Sequence, residues 1–133
     1  MGELKNIGST PNSDYFIDDQ DIIIVMPRPG TIDNPEIAQI NVDFQVNYAI
    51  GVGKKCGMVV NLSNMLSQNA DSRKIYSSGV TPEHFYGVAL VTDNPLARAI
   101  GSFFIGLSRL PIPTSLFNSV ENAIIWLKTI RPE

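Results

Sequence analysis

The chain carries one histidine and one cysteine, so any nucleophilic or acid–base chemistry of the usual kind must be built on His84 or Cys56. His84 stands in the polar turn "TPEHFY", where an imidazole is expected at the surface rather than poised as a general base. No G-x-S-x-G elbow is present, nor any H-E-x-x-H pair. "GVGKKCG" is close to a phosphate-binding loop but lacks the first glycine at the required offset. Lys55 also stands where a Ser or Thr would hold magnesium. Cys56, within this segment at the entrance to an apolar run, reads as a small buried hydrophobe, with only Lys54 and Lys55 nearby to favour its thiolate. Asp18, Asp19 and Asp21 gather three carboxylates, but no further ligand pattern follows, so they read as solvated turn acids. These residues assign no catalytic group, no metal site and no cofactor.

Composition narrows the classes further. At 133 residues, 44% hydrophobic and 17% charged, the chain has the size of one domain with one substantial core. A net charge of −3, with basic residues scattered singly or in pairs, offers no footprint for nucleic acid. The opening "MGELKNIGSTPNSD" has no apolar targeting core, and no run is long enough to span a bilayer. The expectation is a cytoplasmic protein without membrane insertion. A lone cysteine forms no internal disulfide, so packing must hold the fold.

The elements that would position any site alternate. Residues 1–13 are polar and rich in Gly, Pro, Ser and Asn, and are expected to form a flexible tail before a single domain over 14–133. Tyr15 to Ile17 and Ile22 to Met26, separated by the Asp-rich turn, predict a β-hairpin. "INVDFQVNYAIGV" alternates like a strand, yet Asn34, Pro35 and Glu36 make a helix start, and Gly51 and Gly53 make a stop. Helix is favoured, with Ile37, Ile40, Phe44 and Tyr48 keeping helical spacing. Gly57 to Leu62 and Tyr86 to Thr92 predict buried strands, and a short helix lies between them, closed by Gly79. Asn94 and Pro95 start another helix with a core stripe of Leu96, Ala99, Ile100, Phe103, Phe104 and Leu107. "PIPTSLF" predicts an edge strand, and Asn118 with Glu121 a capping box for the last helix. The order predicts an α/β layer fold.

The C-terminal half, "YGVALVTDNPLARAIGSFFIGLSRLPIPTSLFNSVENAIIWLK", resembles the small bacterial SpoIIAA-like domains of the STAS and Sec14-type superfamily. The matching pieces are the strand Val88 to Val91, the helix Pro95 to Phe104, the strand Pro113 to Phe117 and the helix Glu121 to Leu127. The likeness reaches back through "DSRKIY" and "KKCGMVVNLS" to the hairpin. It implies a four- to five-stranded mixed sheet beginning with a β-hairpin, with about four helices on its faces. It also implies a non-catalytic regulatory or protein-interaction module. Anti-sigma antagonists of that superfamily carry a phosphorylatable serine at the start of a helix after the central strand. Its nearest counterpart is Ser72, although Arg73 and Lys74 follow it here instead of Ser and Gly.

Behind the predicted core stripe of the 95–107 helix lie Ala97, Gly101, Ser102 and Ile105. Small residues there let another backbone approach: either a second copy, in a homodimer interface flanked by Trp126, or the loop "LSRLPIPTS" or the last helix of the same chain. The sequence therefore predicts a module that docks a regulatory partner or a small apolar ligand. The alternative is a small hydrolase or transferase using His84 or Cys56.

Overall fold

The Asp-rich turn forms because one carboxylate stands in for missing backbone partners: Asp18 Oδ1 accepts from the amides of Gln20 and Ile22, both at 2.9 Å. Asp21 takes the left-handed conformation (φ 59°) that Asp tolerates better than most residues. The turn joins β2 (Ser13–Ile17) to β3 (Ile22–Pro27) as the expected antiparallel hairpin. The computed structural model describes residues 3–95, 97–99 and 110–132, without the side chains of residues 66–68.

Part of the stretch expected to be a tail, Lys5–Ser9, is a strand. β1 (Lys5–Ser9) adds to β2 as an antiparallel edge strand, and the backbone between them is fixed by Arg28. Its guanidinium donates to Asp14 Oδ1 at 2.9 Å and to the Thr10 carbonyl at 2.7 Å. An edge strand has little to bury, so "KNIGS" needs no apolar alternation to pair. The main sheet is thus six-stranded, in the order β1-β2-β3-β5-β7-β8, one strand more than expected. β5 (Cys56–Asn61), β7 (Phe85–Val91) and β8 (Thr114–Phe117) run parallel to β3. Every residue of β7 is buried, as a parallel strand covered on both faces requires. Two short strands, β4 (Thr31–Asp33) and β6 (Met65–Gln68), pair separately as a parallel ribbon.

The helices divide between the faces. α1 (Pro35–Val52) is the helix favoured over a strand: Asn34 accepts from the Ile37 amide at its N-terminus, and Gly53 (φ 84°) closes it in the left-handed conformation. With α2 (Ala70–Gly79) it covers the face carrying Tyr15, Val25, Met58, Val88 and Leu90. α3 (Val120–Ile130) lays Ala123, Ile124 and Leu127 on the other face, against Ile24, Val59 and Ala89. Its N-cap is Ser119, whose hydroxyl accepts from the Asn122 amide at 3.1 Å, one residue later than the expected Asn118. Residues 95 and 97–99 are helical, capped by Asn94 as anticipated. There, however, Ala97 is buried and Ala99 exposed, the reverse of the predicted faces. Asn94 also donates to the Ser63 carbonyl, which ties this start to the loop after β5 and sets its rotation.

Gly57 and Gly87 are register partners on neighbouring strands under α3. A Cβ at Gly57 would meet the Tyr86 hydroxyl at 2.6 Å, and one at Gly87 would meet the tip of Ile130 at 2.7 Å. A rigid phenol cannot move aside as a flexible methyl can. Gly57→Ala is therefore expected to lower unfolding free energy by about 1–3 kcal/mol, and Gly87→Ala by clearly less. Urea denaturation of both variants checks this, and equal losses would show that the Tyr86 contact is not the constraint.

Candidate functional site

The buried stripe of α1 is not its most apolar one. Ala38, Asn41, Val42, Gln45 and Ala49 face inward, while Ile40 and Ile50 are 40% and 57% exposed. Of the helically spaced Ile37, Ile40, Phe44 and Tyr48, Ile40 is exposed, while Phe44 and Tyr48 pack half-buried at the edge of the core. A helix with apolar residues all round leaves its orientation open to other forces, and here two amides decide it.

Those amides belong to a buried chain of hydrogen bonds that joins four elements and the loop before β2. Tyr76 on α2 donates to Asp33 Oδ2 at 2.8 Å. Asn41 Nδ2 donates to the Tyr76 hydroxyl at 3.1 Å and to Asn12 Oδ1 at 3.0 Å. Asn41 Oδ1 accepts from the hydroxyls of Tyr15, at 2.8 Å, and Thr10, at 2.6 Å. Gln45 Nε2 then donates to the Tyr15 hydroxyl at 2.9 Å. A carboxylate accepts and does not donate, so Asp33 fixes the direction of every bond in the series. Tyr76 must donate its hydrogen bond to Asp33 and accept one from Asn41. The Asn41 carbonyl is thereby turned to Tyr15, and Tyr15 must take its own from Gln45. The carbonyl of Gln45 is left over, and Oε1 has no hydrogen-bond partner. Burial, foremost, raises both tyrosine hydroxyls above their ordinary range, with the Asp33 charge adding to it. They stay protonated as donors.

This chain borders a cavity of about 50 Å³ beneath α1 and α2. Asn41, Gln45 and Tyr76 line its helix side, and Val25, Met58, Val60 and Leu90 its sheet side, with Met65 beside them. Val25, Val60 and Leu90 lie in the carboxyl halves of their strands, where open α/β sheets receive ligands. The sequence reading missed this site because Asn41 and Gln45, four residues apart, were hidden among stronger apolar signals.

The residues singled out in the sequence do not converge there. Cys56 and His84 lie at the opposite, amino end of the parallel strands, where the Cys56 amide donates to the His84 carbonyl. Burial, with Asp21 adding to it, pushes the Cys56 thiol up to about 11, away from thiolate character. Cys56 Sγ donates to the Lys54 carbonyl, and His84 has Glu83 at 3.9 Å. Asp21 pairs with Lys54 at 2.9 Å. Among the described residues no group of three His, Cys, Asp or Glu side chains could hold a metal. Ser72 is in the first turn of α2 as expected, but it is fully buried and its Oγ lacks a partner, so a kinase would need that turn to open. Of the interface candidates, Ala97 is fully buried and Trp126 packs on Phe117 at 5.4 Å. Gly101, Ser102 and Ile105 lie outside the described residues, as does most of the predicted stripe around them. No helix among the described residues is long and apolar enough to cross a membrane.

Replacing Asn41 by Leu orphans two hydroxyl donors and two acceptors at once, and is expected to cost about 3 kcal/mol or more in urea unfolding. A loss below about 1 kcal/mol would mean that the network contributes little. At pH 8, native Cys56 is expected to react with a disulfide reagent on the order of a hundredfold more slowly than in the denatured chain, from its ionisation alone. Equal rates would contradict its burial.

In comparison with known proteins, no curated protein matches the sequence. The fold is similar to the crystal structure of an uncharacterized protein of the DUF3478 family with a SpoIIAA-like fold, from Shewanella loihica PV-4. The two share 11% identity at a TM-score of 0.52, over 94% of this chain and 92% of that one. That likeness supports a SpoIIAA-like architecture and says nothing of activity. The profile of the domain of unknown function DUF7793 matches residues 15–131, from the tyrosine of the buried network to the end of α3. The chain belongs to the DUF7793 family.

Proposed function

We propose that this protein is a non-catalytic regulatory module of the SpoIIAA-like type, which works by holding a small, mainly apolar molecule between α1, α2 and the carboxyl ends of β3, β5 and β7. The observation that carries this reading is the cavity itself: an apolar sheet wall facing a helix wall built of two oriented amides and the Tyr76 phenol. A core selected for stability alone would place Leu or Val at Asn41 and Gln45, because a buried polar network is retained at some cost to packing. Cavities with apolar walls and a few convergent polar groups are the usual form of a small-molecule site. Met58 and Met65 suit such a role, since unbranched thioethers repack around different shapes. Neutral, hydrogen-bonded tyrosines supply orientation rather than acid–base power.

The chain has four methionines, and two of them border the cavity while Met26 packs on the opposite face of the sheet. Methyl NMR of the methionine-labelled protein against a set of small neutral molecules is expected to move the Met58 and Met65 signals and leave Met26 in place. The added molecules are expected to remain chemically unchanged after prolonged incubation. If nothing at millimolar concentration moves Met58 or Met65, or if a bound molecule is converted, the reading fails.

A further inference from the structure

Gln45 is 3% exposed, lines the cavity, and is the end of the hydrogen-bond series that Asp33 directs. Its Nε2 is committed to Tyr15, and reversing the amide would set two acceptors against each other along the whole series. The acceptor of this lining residue is thus left over by the chemistry of its neighbours. A molecule that brings an O–H or N–H satisfies it, and one that brings only lone pairs does not. The carboxylate of Asp33, on the same wall, disfavours a second negative charge. The space of about 50 Å³ suits a small molecule.

We infer that the site is selective for neutral molecules whose polar end is a hydrogen-bond donor, seated on Gln45 Oε1, with a short apolar chain lying along Val25, Met58 and Leu90. This rests on the cavity being a binding site. It adds which end of a ligand is recognised and which residue recognises it.

Three probes of similar size separate the possibilities: 1-butanol, which donates; 2-butanone, which only accepts; and butyrate, which is anionic. Each is titrated against the methionine-labelled protein, with the Met58 and Met65 methyl shifts as readout. The expected result is binding of butanol about tenfold tighter than butanone, the net worth of one neutral hydrogen bond, and weaker binding still of butyrate. In Gln45→Met, the ratio of butanol to butanone is expected to fall to about one, the methionine matching glutamine in length without its acceptor. Butanone or butyrate binding as tightly as butanol to the natural protein overturns the donor selectivity while leaving the cavity a binding site, and needs no variant to fold. An unchanged ratio in folded Gln45→Met overturns the assignment to that residue. No shift with any probe leaves the space to water and overturns the binding reading together with this inference.

Discussion

A single carboxylate sets the polarity of the protein's interior. Asp33 ends the short strand before α1, is 3% exposed, and accepts a hydrogen bond from the Tyr76 hydroxyl. Because it accepts only, each donor and acceptor behind it has one orientation that leaves no clash, through Asn41 and Tyr15 to Gln45. These residues come from β2, β4, α1 and α2, so the same bonds that orient the amides also fix how the helices sit on the sheet. An apolar interface tolerates sliding and repacking, whereas a directed series with one satisfied arrangement does not.

That constraint explains the orientation of α1. Its apolar residues surround the helix, and area burial alone would bring Ile40 or Ile50 inward. Turning it so would strand Asn41 and Gln45 in water and leave the hydroxyls of Tyr15 and Tyr76 buried without their amide partners. Each orphaned group costs about 1–3 kcal/mol, comparable with burying one more isoleucine, and several would be orphaned together. The polar series therefore outweighs the apolar gain. The opposite face of the sheet follows the ordinary rule, with Ala123, Ile124 and Leu127 of α3 inward and Ile125 exposed.

Much of the architecture was legible because its signals are local. The Asp-rich turn, the Asn34–Pro35 start and Gly53 stop of α1, and the continuous apolar runs of β5 and β7 all lie within a few residues of what they determine. β1 was not, since a polar edge strand carries no periodicity and owes its existence to pairing with β2 and to Arg28. The faces of the helix beginning at Pro95 and the cap of α3 turned on single residues that compete for the same role. The candidate site was hidden for a different reason. Tyr76 and Asp33 are 43 positions apart, and Tyr15 and Asn41 are 26, so no spacing rule connects them. His84, Cys56 and Ser72 drew attention as residue types, yet the fold buries or separates them, while two amides on a helix stripe became the polar wall of a cavity.

The central claim is that Asp33 directs the series and leaves the Gln45 carbonyl over. A neutron crystal structure of the deuterium-exchanged protein tests it without perturbing a residue. The predicted density has the Tyr76 deuteron toward Asp33, the Tyr15 deuteron toward Asn41 Oδ1, and the ND2 group of Gln45 toward Tyr15. Deuterons running the other way, with the Gln45 carbonyl accepting from Tyr15, would contradict the account at its root.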